Sequence, residues 1–78
     1  MRIYTIQKDR RAEEENPYSV WLGDELIENQ LSFGEALYWS FRELQRWVQL
    51  GYLTQEQADG MRGDIEAYNS FVSRLTGA

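Results

Sequence analysis

The sequence has no cysteine, no histidine and a single proline among its 78 residues. Without cysteine there is no disulfide and no thiolate metal ligand. The absence of both residue types also excludes the usual zinc sites, the Ser-His-Asp and Cys-His nucleophiles and the common proton carrier of neutral pH. We therefore expect a protein that is not an enzyme, and we predict no catalytic residue, no metal ion and no other cofactor.

Long apolar runs are missing as well. No segment approaches the roughly 20 apolar residues that a membrane-spanning helix requires. The first residues, Met1 to Ile6, run quickly into charge and contain no apolar core of the kind found in a signal peptide. These absences favour an unprocessed cytoplasmic protein without membrane contact.

The length of the chain predicts a single domain that spans residues 1–78. A domain of this size buries only about 60–65% of the surface that its unfolded chain exposes, so its stability is marginal. Aromatic residues make up 14% of the sequence and provide material for a dense core. Good packing or association with a second chain must supply the stability that disulfides and metals do not.

The charge is negative and unevenly distributed. The net charge is −5, which disfavours direct binding to nucleic acid through bulk charge. Between residues 12 and 41 there is no basic residue, while the acidic residues in that range are Glu13, Glu14, Glu15, Asp24, Glu25, Glu28 and Glu35. Two interpretations are open: a solvated surface with solubilising acids, or an acidic patch that binds a basic surface.

Three short segments, rich in β-branched and aromatic residues, are predicted strands at about 2–8, 17–22 and 25–30. Gly23 and Asp24 separate the second from the third, and both residue types tolerate a positive φ, so we expect a two-residue hairpin turn. The predicted register pairs Leu22 with Glu25, Trp21 with Leu26, Val20 with Ile27, Ser19 with Glu28 and Tyr18 with Asn29. Both faces of this hairpin therefore carry apolar side chains.

A helix is predicted at about 33–50. Ser32 as N-cap and Glu35 three residues later form a capping box, and Gly51 suits the left-handed position that follows a helix. The apolar stripe expected to face the core contains Phe33, Leu37, Phe41, Leu44 and Val48. Trp47 flanks this stripe and is expected in the core, whereas Trp39 falls nearly opposite it.

A second helix is predicted at about 55–75, with a capping box formed by Thr54 and Gln57. Its seam of apolar residues consists of Ala58, Met61, Ile65, Tyr68, Val72 and Leu75. Gly60 and Gly63 either allow close approach of another helix or mark a bent first turn. The short connection between the helices predicts an antiparallel pair. The expected fold is α+β, in the order β-β-β-α-α, with a three-stranded, mostly antiparallel sheet and two helices on one face.

The candidate binding residues are aromatic, acidic and arginine side chains. Trp39 either is covered by the N-terminal strand and the loop after it, or anchors a partner together with Arg42 and Arg46 one turn away. Trp21, on the sheet face away from the helices, is a second candidate anchor. The acids of the hairpin complete the predicted partner-binding set, which is Trp21, Asp24, Glu25, Glu28, Trp39, Arg42 and Arg46.

Residues 17–38, which run from an aromatic strand through the Gly-Asp turn to Ser-Phe-Gly-Glu-Ala-Leu, resemble small bacterial and phage proteins with a β-hairpin and helix. The short, acidic, cysteine-free and aromatic-rich chain also resembles phage-encoded anti-CRISPR proteins in type. That resemblance implies an inhibitor in the host cytoplasm that binds a protein subunit of a CRISPR–Cas or other defence complex, in several cases at a basic nucleic-acid channel.

We therefore expect a non-catalytic protein-binding inhibitor that acts on a nucleic-acid-handling effector complex. Its acidic hairpin would take the place of backbone phosphates, as a DNA mimic does, and Trp21 or Trp39 would serve as apolar anchor. The alternative is a homodimeric adaptor or structural interaction module with no connection to nucleic acid. A small enzyme is a weaker third possibility, because only carboxylates and tyrosines are present for catalysis.

Overall fold

The computed structural model describes residues 2–9 and 15–77. In chain order the elements are β1 (Tyr4–Lys8), β2 (Tyr18–Leu22), β3 (Glu25–Leu31), α1 (Phe33–Gln49), α2 (Gln55–Gly60) and α3 (Ile65–Leu75). The strands form one antiparallel sheet in the order β1-β2-β3. The predicted α+β fold is confirmed, and each strand lies within two residues of its predicted bounds.

The helices form a layer against the sheet. The long helix α1 contacts all three strands, α3 contacts β1 and α1, and α2 contacts α1. The buried apolar residues of this layer are Ile6, Val20, Leu31, Ala36, Leu44, Trp47, Ala58, Tyr68, Phe71 and Val72. Every one of the six elements contributes to this core, so the hydrophobic effect joins the whole described chain into one packed unit.

The hairpin turn is as predicted, but the register beyond it is not. Leu22 pairs with Glu25 and Trp21 with Leu26, and Gly23 has the positive φ, +65°, that the turn requires. Two irregularities then place Val20 opposite Glu28 and Tyr18 opposite Leu31. The predicted pairing of Val20 with Ile27 is therefore wrong, as are those of Ser19 with Glu28 and Tyr18 with Asn29, because β3 carries extra residues at β-bulges.

The buried face of α1 differs from the predicted stripe. Its buried residues are Ala36, Ser40, Glu43, Leu44 and Trp47. Phe33 is 51% exposed, and Leu37 and Phe41 are only half-buried. The helix is thus rotated by roughly 75° from the predicted orientation, at 3.6 residues per turn. Small side chains at Ala36 and Ser40 let the helix approach its neighbours closely, and a pattern of large apolar residues gives such positions little weight.

The predicted helix at 55–75 is two helices. α2 ends at Gly60, and Gly63 has a φ of +84°, a backbone conformation that glycine adopts without strain. Asp64 then acts as N-cap of α3, where its carboxylate accepts a hydrogen bond from the Ala67 amide at 3.0 Å. The bent first turn that the two glycines allowed is therefore a complete break between two helices.

The predicted helix ends are present at the atomic level. Ser32 with Glu35, and Thr54 with Gln57, form reciprocal capping boxes. After α1, Gly51 has a φ of +87°. The Gly51 amide donates a hydrogen bond to the carbonyl oxygen of Val48, and the Tyr52 amide donates one to the carbonyl oxygen of Trp47. This is the Schellman arrangement, which satisfies the last carbonyls of a helix.

The outer edge of β1 is closed by α3 rather than by another strand. The side-chain amide of Asn69 donates to the carbonyl oxygen of Ile6 at 2.7 Å, and its oxygen accepts from the Ile6 amide at 3.2 Å. The Tyr68 hydroxyl donates to the carbonyl oxygen of Tyr4. Side chains thus satisfy backbone groups that an open edge would offer to another chain.

Candidate protein-binding surface

The predicted binding residues fall on two elements. Trp21, Asp24, Glu25 and Glu28 belong to the β2–β3 hairpin, and the remaining three lie along α1. The register pairs Tyr4 with Leu22, the last residue before the turn, so the start of β1 and the hairpin turn share one end of the sheet. Trp39 packs on Tyr4 and therefore also lies toward that end.

The hairpin presents an apolar pair on the sheet face opposite to Val20. Trp21 and Leu26 are cross-strand neighbours; Trp21 is half-buried and Leu26 is 44% exposed. The Trp21 indole nitrogen donates to the Ser19 hydroxyl at 2.8 Å, which holds the ring along its own strand. A shallow trough of about 300 Å³ runs beside this pair and is also lined by Asn29. Ile3 packs against the core.

The three hairpin acids are exposed, two at the turn and one in the middle of β3. Asp24 lies in the turn, Glu25 follows it, and Glu28 lies opposite Val20 at the first irregularity. Within residues 2–9 and 15–77 no arginine or lysine forms an ion pair with any of the three. We name the hairpin segment that carries Trp21, Asp24, Glu25, Leu26 and Glu28 the acidic hairpin; its register places Glu25 and Glu28 on the Val20 face and the apolar pair on the other.

Trp39 is covered in part by the N-terminal strand, which is one of the two alternatives for this residue. Its ring centroid lies 5.4 Å from that of Tyr4, with the planes tilted by 50°. The Arg42 guanidinium lies 5.9 Å from the centroid of the Trp39 ring, while Arg42 itself is exposed. Packing on β1 leaves Trp39 half-buried, so its ring is a smaller apolar target than its place opposite the predicted stripe implied.

Arg46 is engaged within the fold. Its guanidinium donates to the Glu43 carboxylate at 2.6 Å and to the carbonyl oxygen of Arg2, and it lies 4.5 Å from the centroid of the Trp47 ring. Glu43 is only 8% exposed and depends on this partner, because an unpaired buried carboxylate is costly. Arg46 thus connects the start of the chain to α1, which favours a structural role over partner binding.

The same cluster affects a buried tyrosine. Burial raises the pKa of Tyr68, and the negative charge of Glu43 raises it further, while Arg46 acts in the opposite direction. The phenol is therefore neutral at physiological pH and remains a hydrogen-bond donor to Tyr4. At the start of α1, the backbone and hydroxyl hydrogen bonds from Ser32 lower the pKa of Glu35, which keeps that cap charged at neutral pH.

The described residues form surfaces suited to contact with another molecule. They contain neither a cluster of metal ligands nor a helix that could span a membrane. No three acidic side chains there converge as metal ligands. Over the same residues, no helix combines the length and the apolar character needed to cross a bilayer.

A groove on the helical layer was not anticipated from the sequence. It has a volume of about 420 Å³ and is lined by Gly34, Leu37, Tyr38, Phe41, Arg62 and Gly63. Phe41 was expected in the core, and its half-exposure follows from the rotation of α1. Arg62 comes from the break between α2 and α3, where a single helix was predicted. The signal available in advance was the pair of glycines at 60 and 63.

No known protein family, curated protein or solved structure matches this chain.

Proposed function

We propose that this protein is a non-catalytic protein-binding inhibitor whose acidic hairpin occupies a basic, nucleic-acid-binding surface of an effector complex. The observation that carries the proposal is the juxtaposition on one hairpin of an apolar pair, Trp21 and Leu26, with three exposed acids. Tryptophan is enriched among the residues that dominate binding energy at protein interfaces. Carboxylates on the same hairpin would select a basic partner and accelerate association.

The charges of the hairpin support a phosphate-like role. Asp24, Glu25 and Glu28 lack ion-pair partners within the described residues, so their charges face solvent uncompensated. Exposed charges act over about 10 Å at 0.1 M salt. A basic channel that normally holds nucleic acid would therefore attract these carboxylates before the rest of the protein makes contact. A CRISPR–Cas or other defence complex is the partner class that the resemblance in type implies.

The test compares two triple neutralisations that change the net charge equally. Asp24→Asn with Glu25→Gln and Glu28→Gln removes the hairpin acids, and the control replaces the exposed helical acids Glu56, Asp59 and Glu66 in the same way. Each variant serves as bait in cell extract, and the captured partner is then studied by surface plasmon resonance across a salt series. We expect the hairpin variant to lose about tenfold or more in association rate, with a flatter salt dependence.

Competition with duplex DNA or RNA completes the test. If the hairpin occupies a nucleic-acid site, the nucleic acid and the wild-type protein must exclude one another on the captured partner. Equal association rates for the two triple variants, or simultaneous binding of protein and nucleic acid, would refute the proposal.

The homodimeric adaptor remains the alternative, favoured by the same trough beside Trp21 and Leu26. A symmetric dimer through this face would bring two sets of hairpin acids together, and like charges oppose association. Dimerisation would therefore strengthen as salt rises, whereas binding to a basic partner would weaken. Sedimentation velocity at about 50 mM and about 500 mM NaCl distinguishes the two functions.

A further inference from the structure

We propose that the groove on the helical layer binds a segment of another protein in which acidic residues flank an apolar side chain. We name this groove, formed by Leu37, Tyr38, Phe41 and Arg62 between the first half of α1 and the α2–α3 break, the aromatic groove. It is distinct from the acidic hairpin in element, composition and sign of charge. It therefore adds a second binding surface to the function proposed above.

The aromatic groove has a volume and an exposed ring surface that suit an apolar side chain. The volume of about 420 Å³ lies within the range of about 300–1,000 Å³ that is typical of ligand sites. Tyr38 is 62% exposed and Phe41 is half-buried, so the ring surface is accessible without any rearrangement of the core. Gly34 and Gly63 line part of the groove without side chains. A leucine or phenylalanine side chain fits a groove of this size and lining.

Arg62, which lines the groove, and Arg42, which lies beside Tyr38 outside the lining, determine the charge of the occupant. The Arg62 guanidinium lies 4.9 Å from the centroid of the Phe41 ring, and that of Arg42 lies 5.7 Å from the centroid of the Tyr38 ring. Neither arginine forms an ion pair within the described ranges. A guanidinium held over a ring keeps its N–H edges directed outward, and these edges bind a carboxylate in a bidentate manner.

Among the described residues, the nearby acids form no ion pair with these arginines. Asp64, next to the groove, accepts the Ala67 amide at 3.0 Å, and Asp59 accepts a hydrogen bond from the Gln55 side chain at 3.0 Å. The protein as a whole carries a net charge of −5, so an acidic segment is repelled by most of its surface. Arg42 and Arg62 place positive charge beside the rings of Tyr38 and Phe41, which is the combination that an acidic segment with an apolar side chain requires.

The probe is the synthetic peptide acetyl-Glu-Asp-Leu-Phe-Glu-Asp-amide, titrated into the full chain labelled with ¹⁵N. We expect a dissociation constant below about 1 mM, with the largest amide shifts at Leu37, Tyr38 and Gly63. The matched neutral peptide, acetyl-Gln-Asn-Leu-Phe-Gln-Asn-amide, should bind at least about tenfold more weakly, because charge-assisted hydrogen bonds are lost.

Single variants locate the site. Arg62→Gln and Arg42→Gln should each weaken the acidic peptide by about tenfold, and Tyr38→Ser should weaken both peptides, since it removes a ring. Arg74→Gln, an exposed arginine in the last turn of α3, is the control of equal charge and should change nothing. The exposed positions of Arg42, Tyr38 and Arg62 keep these variants folded, which the same spectra verify.

Three results would overturn the proposal. The first is that the acidic peptide shows no saturable binding even when its concentration is several-fold higher than about 1 mM. The second is equal weakening by Arg62→Gln and Arg74→Gln, which would mean that only net charge matters. The third is self-association of the unliganded protein that Arg62→Gln abolishes, because the occupant would then be the acidic hairpin of a second copy.

Discussion

The two edge strands of the sheet, β1 and β3, are protected from pairing with another chain in different ways. At the β1 edge, side chains of α3 bind the strand. Asn69 forms hydrogen bonds with the backbone amide and carbonyl of Ile6, and Tyr68 donates one to the carbonyl oxygen of Tyr4. At the β3 edge, two irregularities interrupt the ladder, and of the strand's seven residues only Leu31 is buried. Bulges protect an edge from unwanted pairing without covering it.

Stability and contact surface are separated in this small fold. The covered side contains Trp47, which lies edge-on to Tyr52 and Phe71 and joins α1 to α3. The β2–β3 hairpin, in contrast, carries the half-buried Trp21 and the three exposed acids. A chain with so little core must concentrate packing on one side if it is to leave large side chains available on the other.

The same substitution at two tryptophans tests this separation most strongly. Trp47 is 0% exposed, so Trp47→Ala should reduce the free energy of unfolding by about 3–5 kcal/mol, much of the total for a domain of this size. Trp21→Ala, in the hairpin, should cost less than about 1.5 kcal/mol. Urea denaturation followed by circular dichroism measures both. Equal losses would show that the hairpin is part of the stabilising core.

A matched pair of asparagines tests the two edges themselves. Asn69→Leu leaves the Ile6 amide and carbonyl without partners and should cost about 1–3 kcal/mol. Asn29→Leu, at an exposed position of β3, should change the stability by no more than about 0.5 kcal/mol. Hydrogen exchange at the Ile6 amide should accelerate in the first variant alone. Unchanged exchange there would mean that Asn69 does not close the edge.

The smallest effect is expected at the second irregularity of β3. Gln30 has a φ of +55°, an uncommon conformation for a residue with a side chain. Gln30→Gly should relieve this strain and raise the stability by up to about 1 kcal/mol, after the entropy of the unfolded chain is counted. Gln7→Gly, in the regular part of β1, should lower it by about the same amount. A loss at both positions would place the bulge elsewhere.

Local features of this fold could be predicted because neighbouring residues determine them. The hairpin turn depends on Gly23, the start of α1 on Ser32 with Glu35, and its end on Gly51. Each involves hydrogen bonds or backbone angles within a few residues. The strands and the α+β class follow from alternation and composition over similarly short distances.

The candidate site could be predicted only in part. Asp24, Glu25 and Trp21 have their predicted places because the turn and its first two pairs determine them, whereas Glu28 lies beyond the first irregularity. Arg46, in contrast, joins a predicted binding set but is held by Glu43 and the backbone of Arg2, which lies 44 residues away in sequence. The aromatic groove exists only because α1 is rotated and the second helix is broken.

The sequence alone determined the turns, the caps, the order of the elements and the concentration of acids on one hairpin, since all of these depend on residues close together in the chain. Tertiary structure decided which side of α1 is buried, because α3 and the sheet approach that helix together and small residues permit the contact. It also decided the register of β3, since the two irregularities bring the core residue Leu31 opposite Tyr18, whereas the unshifted register would place it beyond the first residue of β2. Packing energy summed over distant elements outweighs local preference at such positions.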